Sequence, residues 1–154
     1  WEAAGVVVWS APPLIPWNLS KAYLLDLEGA GVPVVPTLIL GDEAARLPAI
    51  MAERHWDLAV VKPVLSASAH DATLVPAGEA TAVARAIGEG RIRRPVMLQP
   101  LVEEIRTRGE WSLIFIDGVL THAVLKHPGN GDFRVQPRFG GRSARAEPAA
   151  GGRE

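Results

Sequence analysis

The sequence predicts an α+β fold in two lobes, and three observations carry that expectation. From Leu19 to Gln99, apolar residues at helical spacing alternate with short β-branched runs. From Trp111 to Lys126, two alternating runs flank Asp117-Gly118, the two-residue signature of an antiparallel hairpin. Glycine (15) and proline (13) mark many turns, yet 48% of the residues are hydrophobic, enough for a packed core. A doubly wound parallel sheet has no place for the late hairpin, so helices against antiparallel sheets are expected.

The elements follow in order. Gly5 to Trp9 reads as a strand or extended arm, ended by prolines at 12, 13 and 16. Asn18 or Ser20 can cap a helix carrying Leu19, Tyr23, Leu24 and Leu27, which Gly29 and Gly31 stop. Val32 to Leu40 is expected as an edge strand because Pro33 and Pro36 cannot donate to a ladder. Gly41-Asp42 opens a helix with Ala44, Leu47, Ile50 and Met51, interrupted or delayed by Pro48. Glu79 to Glu89 forms a third helix closed by Gly90, and the basic turn Arg91 to Arg94 reads as a solvated linker. Val96 to Gln99 is a strand stopped by Pro100. Asp132 to Gln136 is expected as a short polar strand, and residues 142–154, without apolar periodicity, as a disordered tail.

The centre of the chain is VVKPVLSASAHDATLV, Val60 to Val75. Two apolar runs flank a loop of small residues, with Lys62 at its root. Serine hydroxyls and close backbone N–H groups there suit a phosphate, with the ammonium supplying charge. A surface hairpin with a solvated lysine is the other reading, and the residues alone leave both open. The Walker order of glycines and lysine is absent. His70 and Asp71 read as a catalytic pair or as a loop-tip turn. His122 shares a face with Lys126 and is expected to be a half-buried structural histidine, and the five tryptophans are expected in core and interface positions. A net charge of −1 argues against a nucleic-acid or anionic-membrane surface. With no cysteine there are no disulfides or thiolate metal sites. No apolar run approaches the about 20 residues of a spanning helix, and a cytoplasmic protein is expected.

Taken in series, NLSKAYLLDLEGAGVPVVPT, VVKP with its loop, QPLVEEI, GEWSLIFIDG, HAVLKHP and GDFRVQ resemble the ATP-grasp superfamily, in its glutathione-synthetase-like and cycloserine-synthetase-like branch. The resemblance implies two α+β lobes with a nucleotide cleft between them. It implies an ATP-grasp core over 18–141, a lid lobe over about 33–93 and an incomplete second lobe over 94–141. Residues 1–17 would be a remnant of a substrate lobe or a linker. It also implies ATP and Mg²⁺ as cofactors, and a small carboxylate or amino-acid-like substrate activated as an acyl-phosphate.

By position, Lys21 and Lys62 resemble the two phosphate-contacting lysines. Ser66 to Asp71, including Ser68, resembles the mobile loop. Met97, Gln99, Leu101 and Val102 resemble the hinge whose backbone meets adenine, with Glu104 or Glu110 on the ribose. Lys126 and Arg134 resemble basic groups at the γ-phosphate and acyl-phosphate, and would be the catalytic pair. The loop carries Ala67 and Ala69 where such loops have glycine, so it should be stiffer and avoid positive φ. Ser112 replaces a basic residue of glutathione synthetases. The family's magnesium carboxylates lie on later strands, so no metal ligand is assigned here and the chain as given is expected not to turn over. Two function classes stay open: the ATP-dependent ligase, and a non-catalytic nucleotide-binding or interaction module that has lost its metal site.

Overall fold

The computed structural model describes residues 4–7, 13–67, 69 and 71–148, in two compact units, Trp1–Leu101 and Val102–Glu154. The first opens with α1 (Leu14–Leu19) and α2 (Tyr23–Gly29), followed by β1 (Leu38–Leu40). A 3-10 turn then leads into α3 (Leu47–Glu53), where Pro48 sits in the first turn and no intrahelical N–H is lost. β2 (Leu58–Pro63), β3 (Thr73–Pro76), α4 (Ala80–Gly88) and β4 (Val96–Pro100) complete the unit.

Its sheet has the order β1-β4-β2-β3 with every pairing antiparallel. One face of that sheet presents Leu40, Ala59, Val61, Val75, Val96 and Leu98. Against it pack Leu47, Ile50 and Met51 of α3 and Ala80, Ala84 and Ile87 of α4, residues one helical turn apart. Leu47, Ala59, Val61, Val75, Ile87, Val96 and Leu98 are all 0% exposed, so this is the principal core.

The second unit contains α5 (Glu104–Thr107) and an antiparallel sheet of β5 (Glu110–Ile116), β6 (Val119–His127) and β7 (Arg142–Ala146), in that order. Asp117 and Gly118 both take positive φ, +50° and +74°, as a primed two-residue turn requires.

Several expectations are corrected. β1 covers only the last residues of the 32–40 run, although it is the edge strand foreseen. Asp132 to Gln136 is a turn, because Asp132 Oδ1 accepts the N–H groups of Phe133 (2.7 Å) and Arg134 (2.9 Å) and so satisfies the backbone locally. Residues 142–146, expected in the disordered tail, form β7, whose register pairs Lys126 with Ser143 and His127 with Arg142. β4, expected in the second lobe, is a central strand of the first unit's sheet. Ala69 takes φ +53° despite its Cβ. His122 is exposed, its Nδ1 3.0 Å from Thr121 Oγ1, and Trp17 (40%) and Trp111 (42%) are exposed as well. Residues 8–12, Trp9 among them, lie outside the described residues, as do Ser68 and His70.

Candidate functional site

In the first unit the site residues follow from strand register. Val60 pairs with Gln99 and Lys62 with Met97 across β2 and β4, so these four side chains share one sheet face. It is the face opposite the helix-packed core. Val60 (8% exposed), Met97 (1%) and Gln99 (8%) are buried, while Lys62 is half-buried. Gln99 Nε2 donates to Thr37 Oγ1 (2.8 Å), and that hydroxyl donates to Val35 C=O (2.6 Å). The Gln99 Nε2 group is thus engaged internally. Thr37 was not foreseen; a threonine directly after a proline on an edge run was its only signal. Leu101 N–H donates to Leu58 C=O (3.1 Å), and Val102 C=O accepts from Ile105 N–H (3.1 Å).

Lys21 sits in the turn between α1 and α2. That turn is shaped by Ser20 Oγ accepting the Ala22 N–H (3.3 Å) and by Trp17, whose Nε1 donates to Asp26 Oδ2 (2.7 Å) while its ring lies 5.1 Å from Tyr23. The lysine reaches the start of the small-residue loop: Nζ donates to Ser66 C=O (2.6 Å) and Ser66 Oγ (2.9 Å). Burial lowers the Lys21 pKa below the usual lysine value. The structure thus joins Lys21 and Ser66, and Lys62 with the Met97–Gln99 segment.

In the second unit, Lys126 Nζ is 3.5 Å from Glu110 Oε1, its partner in the β5–β6 register. Arg134 makes a forked pair with Asp132: Nε to Oδ1 at 3.0 Å and Nη2 to Oδ2 at 2.7 Å. This guanidinium holds the Asp132 carboxyl down at about 2, and the carboxylate in turn raises the Arg134 pKa. Arg134 also stacks 3.5 Å over the Phe139 ring. Glu104 opens α5 with its side chain exposed. Gln136 Oε1 is buried without a hydrogen-bond partner among the described residues, a feature that leaves no sign in the sequence.

Magnesium, which the resemblance implies, prefers carboxylate oxygens in octahedral arrangement. The described residues do not fit it. No group of three or more His, Asp or Glu converges among them, Asp132 is forked onto Arg134, and Glu110 faces Lys126. The roles proposed for this chain are therefore those of its own side chains and backbone.

No family model matches the chain. Over 122 residues it is 36% identical to the cycloserine biosynthesis protein DcsG of Streptomyces lavendulae, an alignment covering 74% of this chain and 40% of that protein. The crystal structure of D-cycloserine synthetase DcsG matches with a TM-score of 0.73 at 32% identity, over 88% of this chain and 48% of that one. The ATP-grasp ligase PsnB, solved with Mg and ADP, matches with a TM-score of 0.64 at 22% identity, over 97% of this chain and 43% of that one. The chain belongs to the ATP-grasp superfamily. It spans less than half the length of these ATP-grasp relatives. Among its described residues, no helix is long and apolar enough to cross a membrane.

Proposed function

We propose that the chain is the nucleotide-holding part of an ATP-dependent ligase, one that activates a carboxylate as an acyl-phosphate for attack by an amine or similar nucleophile. The observation that carries this reading is the β2–β4 register, which sets the Lys62 ammonium beside the apolar Val60 and Met97 on one face. An adenine pocket needs apolar walls with few fixed polar groups, and a polyphosphate needs cations at one end. Lys62, Lys21, Ser66 and Ser68 serve the phosphates, Met97 supplies an apolar wall, and the main chain at Gln99 and the Leu101 C=O, beyond the β1 pairing, serve the adenine edge. The resemblance leaves Glu104 and Glu110 as the ribose candidates, and Glu110 is engaged by Lys126. For the second unit, the resemblance implies that Lys126 and Arg134 act on the transferring phosphoryl group, whose transfer depends on positioning and charge neutralisation.

The Asp132–Arg134 and Glu110–Lys126 pairs favour a second reading, in which this chain holds nucleotide without turning it over. Hydroxylamine separates the two, because it converts an acyl-phosphate into a stable hydroxamate. ATP, a panel of small carboxylates and hydroxylamine yield hydroxamate only under the first reading. For nucleotide holding itself, equilibrium dialysis should show saturable ATP binding that ADP displaces and GTP does not. No saturable ATP binding, or equal displacement by GTP, contradicts the proposal.

A further inference from the structure

Three acceptors surround the Lys21 ammonium: Ser66 C=O at 2.6 Å, Ser66 Oγ at 2.9 Å and Val64 C=O at 3.4 Å. An ammonium has three N–H donors, so this set engages all of them. The Lys21 backbone N–H also donates to Val64 C=O (3.1 Å), and the Ser66 hydroxyl donates onward to Pro63 C=O (3.1 Å). The α1–α2 turn is thereby tied to the chain just beyond β2. Every one of these acceptors is neutral. Among the described residues no carboxylate compensates this half-buried cation, whose pKa burial lowers. A phosphate oxygen is a stronger acceptor for an ammonium than a carbonyl or a hydroxyl, since the bond is charge-assisted on both sides.

We propose that Lys21 is a latch on the nucleotide site: with no anion bound it fastens Ser66 to the α1–α2 turn, and a nucleotide phosphate takes the ammonium over and releases the Ser66 hydroxyl. The latch rests on the reading of the Lys62 face as a nucleotide site. All three Lys21 donors are engaged, so a phosphate contact displaces at least one loop acceptor. Ser66 is half-buried, so its freed carbonyl can accept from water, and its hydroxyl, which donates to Pro63 C=O in the free state, can turn to donate to the phosphate. Anion binding and the hold on the loop are therefore alternatives for the same three N–H groups.

The chain has three lysines, Lys21, Lys62 and Lys126, so ammonium NMR on lysine-labelled full chain gives three signals, assigned with Lys21→Met and Lys62→Met. ADP without metal is the titrant. The latch requires the Lys21 signal to shift with ADP. Ser66→Ala should shift it in the free protein, and at ADP saturation the wild-type and Ser66→Ala signals for Lys21 should coincide. Ser66→Thr, which keeps the hydroxyl, should leave the free-state signal at the wild-type position. A Lys62 signal that moves saturably while Lys21 stays still overturns the latch alone. So does a Ser66→Ala displacement that persists undiminished at saturation. If ADP moves none of the three, the nucleotide reading falls and the latch falls with it.

Discussion

The two units use strand alternation in opposite ways. In the first, both faces of β2 and β4 are buried: Val61 and Leu98 against the helices, Val60 and Met97 on the other side. In the second, β5 alternates just as regularly, but its burial is inverted. Trp111 (42% exposed), Leu113 (49%) and Phe115 (58%) lie open, while Glu110, Ser112 and Ile114 between them are half-buried. Across the register Trp111 meets Leu125 and Leu113 meets Ala123, and Leu125 and Ala123 meet Ala144 and Ala146. That stretch of the face is apolar, with His127 and Arg142 at its end, and the opposite face carries Glu110, Lys126 and Ser143. Among the described residues of this unit, only Ala123 and Val135 are buried hydrophobics. The first unit is therefore held by side-chain packing. The second is held by ladders, a primed turn, close backbone crossings and one forked ion pair.

The sharpest way to break this contrast is a pair of leucines. Leu47→Ala, at 0% exposure, should destabilise the first unit by about 2–5 kcal/mol, through lost burial plus the cavity left behind. Leu113→Ala, at 49% exposure, should change stability by no more than about 0.5 kcal/mol. Urea unfolding of both variants compares them, and equal losses would erase the distinction. Next comes Gly141, where an added Cβ would run into the Val135 carbonyl and come within 3.0 Å of Gln136 O. Backbone cannot yield as a side-chain tip does, so Gly141→Ala should lose at least about 2 kcal/mol. Hydrogen exchange should place the loss in β6–β7 and leave β2–β4 protected.

The ion pair sharpens the comparison further. Asp132→Asn removes the charge partner of Arg134 and should destabilise the second unit by about 1–3 kcal/mol. The sign with pH follows from the depressed carboxyl. Its contribution is complete above the usual value of 3.8 and is lost as the pH falls through about 2. A stability difference between wild type and variant that stays constant from pH 5 to pH 2 would contradict this. The smallest effect should be at Ala69, whose φ of +53° favours glycine. Ala69→Gly should be neutral to stabilising by about 1 kcal/mol in thermal unfolding, whereas the same change in a helix interior destabilises.

How much of this was legible in the sequence depends on what carried each signal. The β5–β6 hairpin was readable because period-two alternation meets an Asp-Gly turn. The place of Lys62 at the end of an apolar run was readable, but the face it shares with Val60, Met97 and Gln99 follows from strand pairing that the sequence does not show. β7 was not readable: Arg142-Ser143-Ala144-Arg145-Ala146 has no apolar alternation, and main-chain pairing to β6 makes it a strand. Asp132 to Gln136 misled because an aspartate that caps its own backbone looks like any polar strand residue. The place of β4 between β1 and β2 is a matter of topology, which sequence order conceals. Lys21 entered only through the family resemblance, as a match to a phosphate-contacting lysine. Its hold on Ser66, 45 residues away, runs partly through a carbonyl that every residue possesses, and leaves no mark in the sequence.

The central claim is that the Lys62 face holds a nucleotide, with the lysine on its phosphates. Calorimetric titration of ATP and of adenosine into wild type and Lys62→Ala tests it most directly. A charge-assisted contact contributes roughly 1.5–3 kcal/mol, so ATP affinity should fall about tenfold or more while adenosine affinity holds within about twofold. Equal losses for the two ligands, or an unchanged ATP affinity, would contradict the claim.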